Sequence, residues 1–286
     1  MKSLVPWYAR IGAKIVLARA PMPYALWRRV NLFKHGAMTD VAYARAVFER
    51  HLAVLPAPFR PGFTALELGP GDSLFSAVLA RLAGAARTYL VDAGAFATDD
   101  VALYRDAACA LVRDLPSPPI SPTRWTSIGA MLEDCGGSYG TDGLASLRAV
   151  PEGSVHLSWS HAVLEHVRHA EFDATMAALR RAMHPQGASS HQVDLRDHLG
   201  GSLHNLRFSH ARWESPLFRD SGFYTNRIRY TAMLASFTRA GFRVEQVTPE
   251  RWPAVPLARA ALDPEFRDLP DDELRVMAFH AVLRPA

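Results

Sequence analysis

The sequence predicts an α/β fold: an open seven-stranded sheet with helices on both faces, an N-terminal helical arm and an insert after strand five. Three observations carry this. Short apolar runs of strand length alternate with longer amphipathic stretches. The first run breaks at two glycines and leads straight into a helix. The second run, about twenty residues on, ends in an aspartate.

The first run and its turn read Thr64-Ala65-Leu66-Glu67-Leu68-Gly69-Pro70-Gly71-Asp72-Ser73. Two glycines let the backbone pass close to a ligand without side-chain collision, and a helix beginning near Ser73 aims its free N–H groups at whatever sits there. The second run, Tyr89-Leu90-Val91, ends in Asp92, where an α/β nucleotide fold carries its ribose-binding carboxylate. A dinucleotide fingerprint needs a further glycine where this chain has Leu74. An acidic residue, one spacer and Gly-x-Gly, here Glu67, Gly69 and Gly71, resembles the first motif of the class I S-adenosylmethionine (SAM)-dependent methyltransferases. Ser73 stands where many members have a third glycine.

That resemblance implies a Rossmann-like class I methyltransferase sheet and SAM as cofactor, with S-adenosyl-L-homocysteine as product. The cofactor-binding residues it implies are Glu67, Gly69, Pro70, Gly71 and Ser73 for the amino-acid end, Asp92 for the ribose, Asp142 for the adenine, and Ser160 at the end of strand four. A nicotinamide-dependent oxidoreductase and a non-catalytic SAM-binding scaffold or regulatory subunit are the alternatives; the missing glycine argues against the first.

The composition bounds the rest. The chain has 286 residues, 49% of them hydrophobic, enough for one large core with additions. Only Cys109 and Cys135 are present, which excludes a disulfide framework or a cysteine zinc site and fits a reducing cytoplasm. The opening Met1–Trp7 is too short an apolar run for a signal peptide, and no stretch reaches transmembrane length. The formal charge of +4 comes from arginine, since Lys2, Lys14 and Lys34 are the only lysines. Arginine forks suit phosphate and carboxylate, although a GC-rich coding bias gives the same composition. The basic, aromatic arm (Trp7, Arg10, Lys14, Arg19, Trp27, Arg28, Arg29, Lys34) is expected to pack on the domain or mediate a homodimer, in preference to binding nucleic acid or a membrane surface.

Residues 1–58 read as the helical arm or lid and 59–286 as the methyltransferase domain. Within the arm, helices break at Pro21-Met22-Pro23 and at His35-Gly36, and Asp40 caps a helix over 41–55. Strand one spans 63–68, a helix 73–82, strand two 88–91, a helix 100–111, a helix 128–134 and a short third strand 138–139. Strand four, 154–158, follows the turn Pro151-Glu152-Gly153 and leads into Trp159-Ser160-His161-Ala162-Val163-Leu164-Glu165-His166-Val167. A Leu-Glu-His-Val helix start in this place strengthens the resemblance, which covers roughly 63–193; His156 departs from it, where the group often has an acid. A helix over 172–183, a turn at His184-Pro185-Gln186-Gly187, strand five over 188–193, a helix 231–240 and strands 242–247 and 276–283 complete the sheet. The polar, aromatic segment 194–230 is longer than a connection and reads as a substrate-binding insert.

Methyl transfer is an in-line displacement, so the protein must hold the acceptor and, for oxygen, remove its proton. The acceptor belongs beyond the carboxyl ends of strands one, four and five. Histidine titrates near neutrality, which makes His161, His166 and His198 candidate catalytic residues, with Asp194 to orient or accept. His191, inside strand five, reads as a satisfied core histidine. In the insert, Arg196, Arg207, Trp213, Tyr224, Asn226 and Arg227 are candidate substrate-binding residues, because planar rings beside donors suit a sugar-containing acceptor and arginines a phosphate on it. The phrases 191–201 and 221–227 resemble a bacterial subgroup of these methyltransferases linked to surface-glycan pathways. Some ubiquinone-pathway and small-RNA methyltransferases carry a Glu-x-x-Glu-His helix that binds a divalent ion. This chain has Ala162 at the first of those positions, so no obligatory metal is expected.

Overall fold

The protein is described by a computed structural model that covers residues 7–18, 38–59 and 61–286. The breaks expected at Pro21-Met22-Pro23 and His35-Gly36, and Arg19, Trp27, Arg28, Arg29 and Lys34, lie outside the described residues.

The sheet comprises β1 Thr64–Leu68, β2 Arg87–Val91, β3 Gly137–Gly140, β4 Val155–His161, β5 Met183–Asp194, β6 Phe242–Arg251 and β7 Val276–Pro285. Their order is β3-β2-β1-β4-β5-β7-β6. The first five run parallel, and β7 lies antiparallel between β5 and β6. This is the Rossmann-like seven-stranded sheet of the class I methyltransferases.

Several helices start where a side chain can satisfy the free amides of the first turn. After α1, Trp7–Ala18, comes α2, Val41–Leu52, where Asp40 accepts from the amides of Ala42 and Tyr43. Next is α3, Phe75–Leu82; then α4, Val101–Val112, capped by Asp100 as α2 is by Asp40. Ser127 caps α5, Ile128–Asp134, and α6 (Leu144–Ala149), α7 (Phe172–Ala182) and α8 (Tyr230–Arg239) follow. Helices α2 to α5 cover one face of the sheet, where Val47, Phe48, Phe75, Tyr104 and Met131 pack with Trp159 and Leu90. Helices α6 to α8 cover the other, where Leu147, Phe172, Met176 and Phe237 pack with Leu66, Val193 and Phe279. Helix α2 is built into the first of these cores through Ala44, Val47 and Phe48.

Strand four runs three residues beyond its expected end, so Ser160 and His161 belong to β4. The turn expected at 184–187 is absorbed into β5 as an irregular stretch, across which the pairing with β4 steps from Val155↔Met183 to Leu157↔Ala188. The Leu164-Glu165-His166-Val167 phrase forms a turn instead of a helix start; Ala162 before it has a φ of 55°, and the helix begins only at Phe172. The segment after β5 holds single helical turns at His210–Trp213 and Pro216–Arg219. Its interior is Leu199, Trp213, Phe218 and Phe223, and Ile11 and Trp7 of α1 complete that cluster. No helix among the described residues is long and apolar enough to cross a membrane.

Candidate active site

The carboxyl ends of β1, β2 and β4 meet at the glycine turn. Gly69 and Gly71 both have left-handed φ, 70° and 66°, and a Cβ on Gly69 would stand 2.4 Å from Val163 Cγ2. The turn is therefore closed from the β4 side by a valine and kept to backbone on its own. The Gly71 amide donates to Asp92 Oδ2 at 3.0 Å, and the Ala93 amide to its Oδ1 at 2.7 Å. Asp92 is half-buried and its carbonyl accepts from the Gly143 amide, which draws the loop bearing exposed Asp142 to the end of β2. Glycine turn, Asp92 and Asp142 thus form one rim.

Glu67 lies beneath that rim, 2% exposed, and accepts from Trp159 Nε1 at 3.0 Å. Burial pushes its carboxyl up to about 7, against the hydrogen bond from Trp159 and with some help from the charge of Asp92. Two expected cofactor contacts face the interior. Ser73 is fully buried and its hydroxyl donates to the Met38 carbonyl at 2.6 Å, which ties the approach to α2 onto the start of α3. Ser160 is buried and shares a hydrogen bond of 2.8 Å with His191 Nδ1. The alternation of a strand explains it: Ser160 points to the face opposite His161. His191 is the satisfied core histidine expected, held also by Ser189 at 2.6 Å.

His161 ends β4, with its Nε2 3.5 Å from the hydroxyl of Tyr43 on α2. Burial, with Arg50 and His280 nearby, holds its imidazole down to about 4. A second group gathers around the turn after β4. Ligand-capable atoms of Glu165, His166 and His198 lie within 4.8 Å of one another, and the two imidazole centroids are 4.8 Å apart. Glu165 is 1% exposed; its Oε1 accepts from the Asp194 amide at 3.3 Å and its Oε2 has no hydrogen-bond partner among the described residues. Burial raises its carboxyl well above the ordinary value, and the charge of Asp194 adds to this. Asp194 itself is gripped by the Arg196 fork at 2.7 to 3.2 Å. His161 and the pair His166–His198 therefore belong to two separate polar groups.

The remaining substrate candidates serve the insert's own packing. Trp213 is fully buried and donates to the Thr225 carbonyl. Asn226 is buried and donates to the carbonyls of Leu164 and Val167. Tyr224 is buried, its hydroxyl donating to Glu214 and accepting from the His169 amide. Arg227 sits between the Trp213 and Phe266 rings, donates to the Phe208 carbonyl and has a φ of 60°. Arg207 lies over the Trp7 ring of α1, 4.8 Å from its centroid. Arg196 is occupied by Asp194. Aromatic-plus-arginine composition is the same whether it faces a sugar or fills a small core, so the sequence did not separate the two. Tyr43, His51 and His280 went unread, although Tyr43, Val47 and His51 recur at helical spacing on one face of α2.

No protein-family model matches the chain, and no curated protein sequence matches it. Among solved structures, a SAM-dependent methyltransferase from Mesorhizobium loti is similar at 16% identity over 82% of this chain and 96% of that one, with a TM-score of 0.46. One from Leishmania major is similar at 13% identity over 96% and 83%, TM-score 0.45. A geranyl diphosphate C-methyltransferase from Streptomyces coelicolor is similar at 12% over 84% and 79%, TM-score 0.46. The fold assignment stands on the strand order and register given above.

Proposed function

We propose that the chain is a SAM-dependent methyltransferase acting on a hydroxyl of a small polar, sugar-containing acceptor in the cytoplasm. The observation that carries the reading is the rim: two left-handed glycines at the end of β1, bonded to a carboxylate at the end of β2, with Asp142 drawn alongside. This donor and acceptor set suits a nucleoside carrying an amino acid. Asp92 would take the ribose hydroxyls, the backbone of Gly69, Pro70 and Gly71 the amino-acid end and Asp142 the adenine. Glu67, being buried, would hold the turn from below, and when bound the sulfonium would supply the methyl group. Beyond the rim, His161 and His198 are the groups able to receive the acceptor's proton, with Asp194 fixed beside His198's neighbour Glu165. No obligatory metal is included.

A second reading of the same activity is favoured by Glu165, His166 and His198: one carboxylate and two imidazoles within 4.8 Å are a donor set suited to a divalent transition metal. One experiment addresses both. Full-length protein is incubated with SAM labelled in its methyl group and a panel of sugars, sugar phosphates and amines, with and without EDTA. The expected result is label in an ether methyl of a hydroxyl acceptor, unaffected by EDTA. Loss with EDTA and recovery with manganese or zinc would favour the metal reading; label only on nitrogen, or no turnover with any acceptor, would count against O-methylation.

A further inference from the structure

Glu67 is a carboxyl that its own fold leaves half-satisfied. It stands on β1, an interior strand, in register with Leu90 of β2 and Trp159 of β4, and both of those residues belong to the first core. Its Oε1 accepts from Trp159 Nε1 at 3.0 Å, while its Oε2 is buried without a hydrogen-bond partner among the described residues. The charged group that acts on it is Asp92, at the end of β2, and that charge is negative. The rim therefore sets two carboxyl groups near one another, with no cation of the described residues acting on Glu67.

An isolated carboxylate in a dry interior is costly, and the group responds by keeping its proton. Burial does this to Glu67, whose carboxyl is pushed up to about 7, so close to half of the molecules carry it protonated at neutral pH. Two residues further on, the chain turns at Gly69, about 7 Å along an extended strand. A positive charge held on that turn acts on the carboxyl at about 10 Å or less, and at such a range it favours the ionised form by about tenfold. The two forms of the cofactor differ in this respect. SAM has a sulfonium, an ammonium and a carboxylate, which leaves one net positive charge; S-adenosyl-L-homocysteine has lost the sulfonium charge and is neutral overall.

We propose that Glu67 selects the cofactor by charge: it gives up its proton to solvent when a ligand of net positive charge occupies the rim, and so favours SAM over S-adenosyl-L-homocysteine. The proposal rests on the SAM-binding reading of the rim. Glu67 acts here through the field it sets at the turn, as a specificity-determining residue. The sign of the pH dependence follows. Its ionised form is favoured in the SAM complex, so the carboxyl titrates lower there than in the free protein. The gain in SAM affinity is complete above the free protein's value of about 7 and is lost as pH falls through the lower value of the complex. S-adenosyl-L-homocysteine brings no net charge, so Glu67 keeps its proton beside it. When the sulfur loses its charge on methyl transfer, the carboxyl takes a proton back and the advantage ends.

The test is calorimetric titration of the full chain and of Glu67→Gln with SAM and with S-adenosyl-L-homocysteine, at pH 6, 7 and 8 and in two buffers of different ionisation heat. Glutamine keeps an acceptor for Trp159 and cannot ionise. Between pH 6 and pH 8 the parent's preference for SAM should grow by about fivefold relative to the variant's. At pH 7 the parent should release about half a proton more than the variant on binding SAM, and no more than the variant on binding S-adenosyl-L-homocysteine. Parallel pH dependence in the two proteins, or equal extra release with both ligands, would overturn the proposal. Infrared difference spectra of the parent give a second readout should the variant not fold. A protonated-carboxyl band should vanish on adding SAM and persist on adding S-adenosyl-L-homocysteine; the same response to both ligands would contradict the proposal. SAM binding without this difference leaves the SAM reading standing, whereas absence of binding by either ligand removes that reading and the proposal together.

Discussion

Arg227 shows how a residue can look like a ligand-binding group and serve the interior. Its guanidinium lies 5.5 Å from the Trp213 ring centroid and 5.1 Å from that of Phe266, with the Glu265 carboxylate at 3.9 Å. Burial lowers its affinity for a proton. The charge is held by ring faces and by main-chain carbonyls, so removing it strands the Phe208 carbonyl and opens the space between two rings. Arg227→Met should destabilise the fold by about 2–4 kcal/mol in urea unfolding and leave SAM affinity unchanged. Parental stability together with a raised acceptor Michaelis constant would instead return Arg227 to the substrate. Arg229 is also turned inward: buried, it donates to the carbonyls of Leu195, Glu273 and Val276 and so fastens the end of the insert to the approach to β7.

At the scale of elements, α2 decides how the site is roofed. Its apolar face enters the core through Val47 and Phe48, and its polar residues on that side, Tyr43 and His51, meet β4, β5 and β7. The docking has a pH signature. Burial holds the fully enclosed His51 down to about 2, against 6.5 unfolded, so below pH 6.5 the unfolded chain takes a proton that the folded one refuses. Stability contributed by a neutral His51 is complete above pH 6.5 and is lost as pH falls, at about 1.4 kcal/mol per pH unit. Glu67 acts with the opposite sign. Its carboxyl is raised from 4.5 to about 7, so the folded state holds the extra proton and its contribution fades as pH rises through that window. The two partly cancel between pH 4.5 and 6.5, which makes the difference between variants the useful measurement. His51→Gln should be less acid-sensitive than the parent by about 1.4 kcal/mol per pH unit below pH 6.5; parallel stability curves would mean that His51 is charged or exposed.

Across the whole molecule, what the sequence made legible followed from local chemistry with one solution. Two glycines after a buried strand, an aspartate about twenty residues on and the cap Asp40 each leave few alternatives, and the strand order and the start of α2 agree with them. Elements were misplaced where neighbours decide. The 184–187 stretch has turn residues yet joins β5, because β4 runs alongside it and the sheet absorbs the mismatch as an irregularity. Glu165 and His166 sit on a turn because the amide of Asn226 donates to the Glu165 carbonyl and its side chain to the carbonyls of Leu164 and Val167. Ser73 and Ser160 turned inward for want of information about which face their partners occupy. The contact between His51 and Ser190 was hidden for the same reason: they stand 139 positions apart, and only the packed sheet brings them together.

The central claim is that the rim of Gly69, Gly71 and Asp92 binds SAM. Calorimetric titration of SAM into the full chain and into Asp92→Ala tests it most directly. Asp92 would supply two hydrogen bonds to the ribose, so the parent should bind saturably and the variant should bind about ten- to a hundredfold more weakly. Equal affinity in the two proteins, or no binding by the parent, would contradict the account.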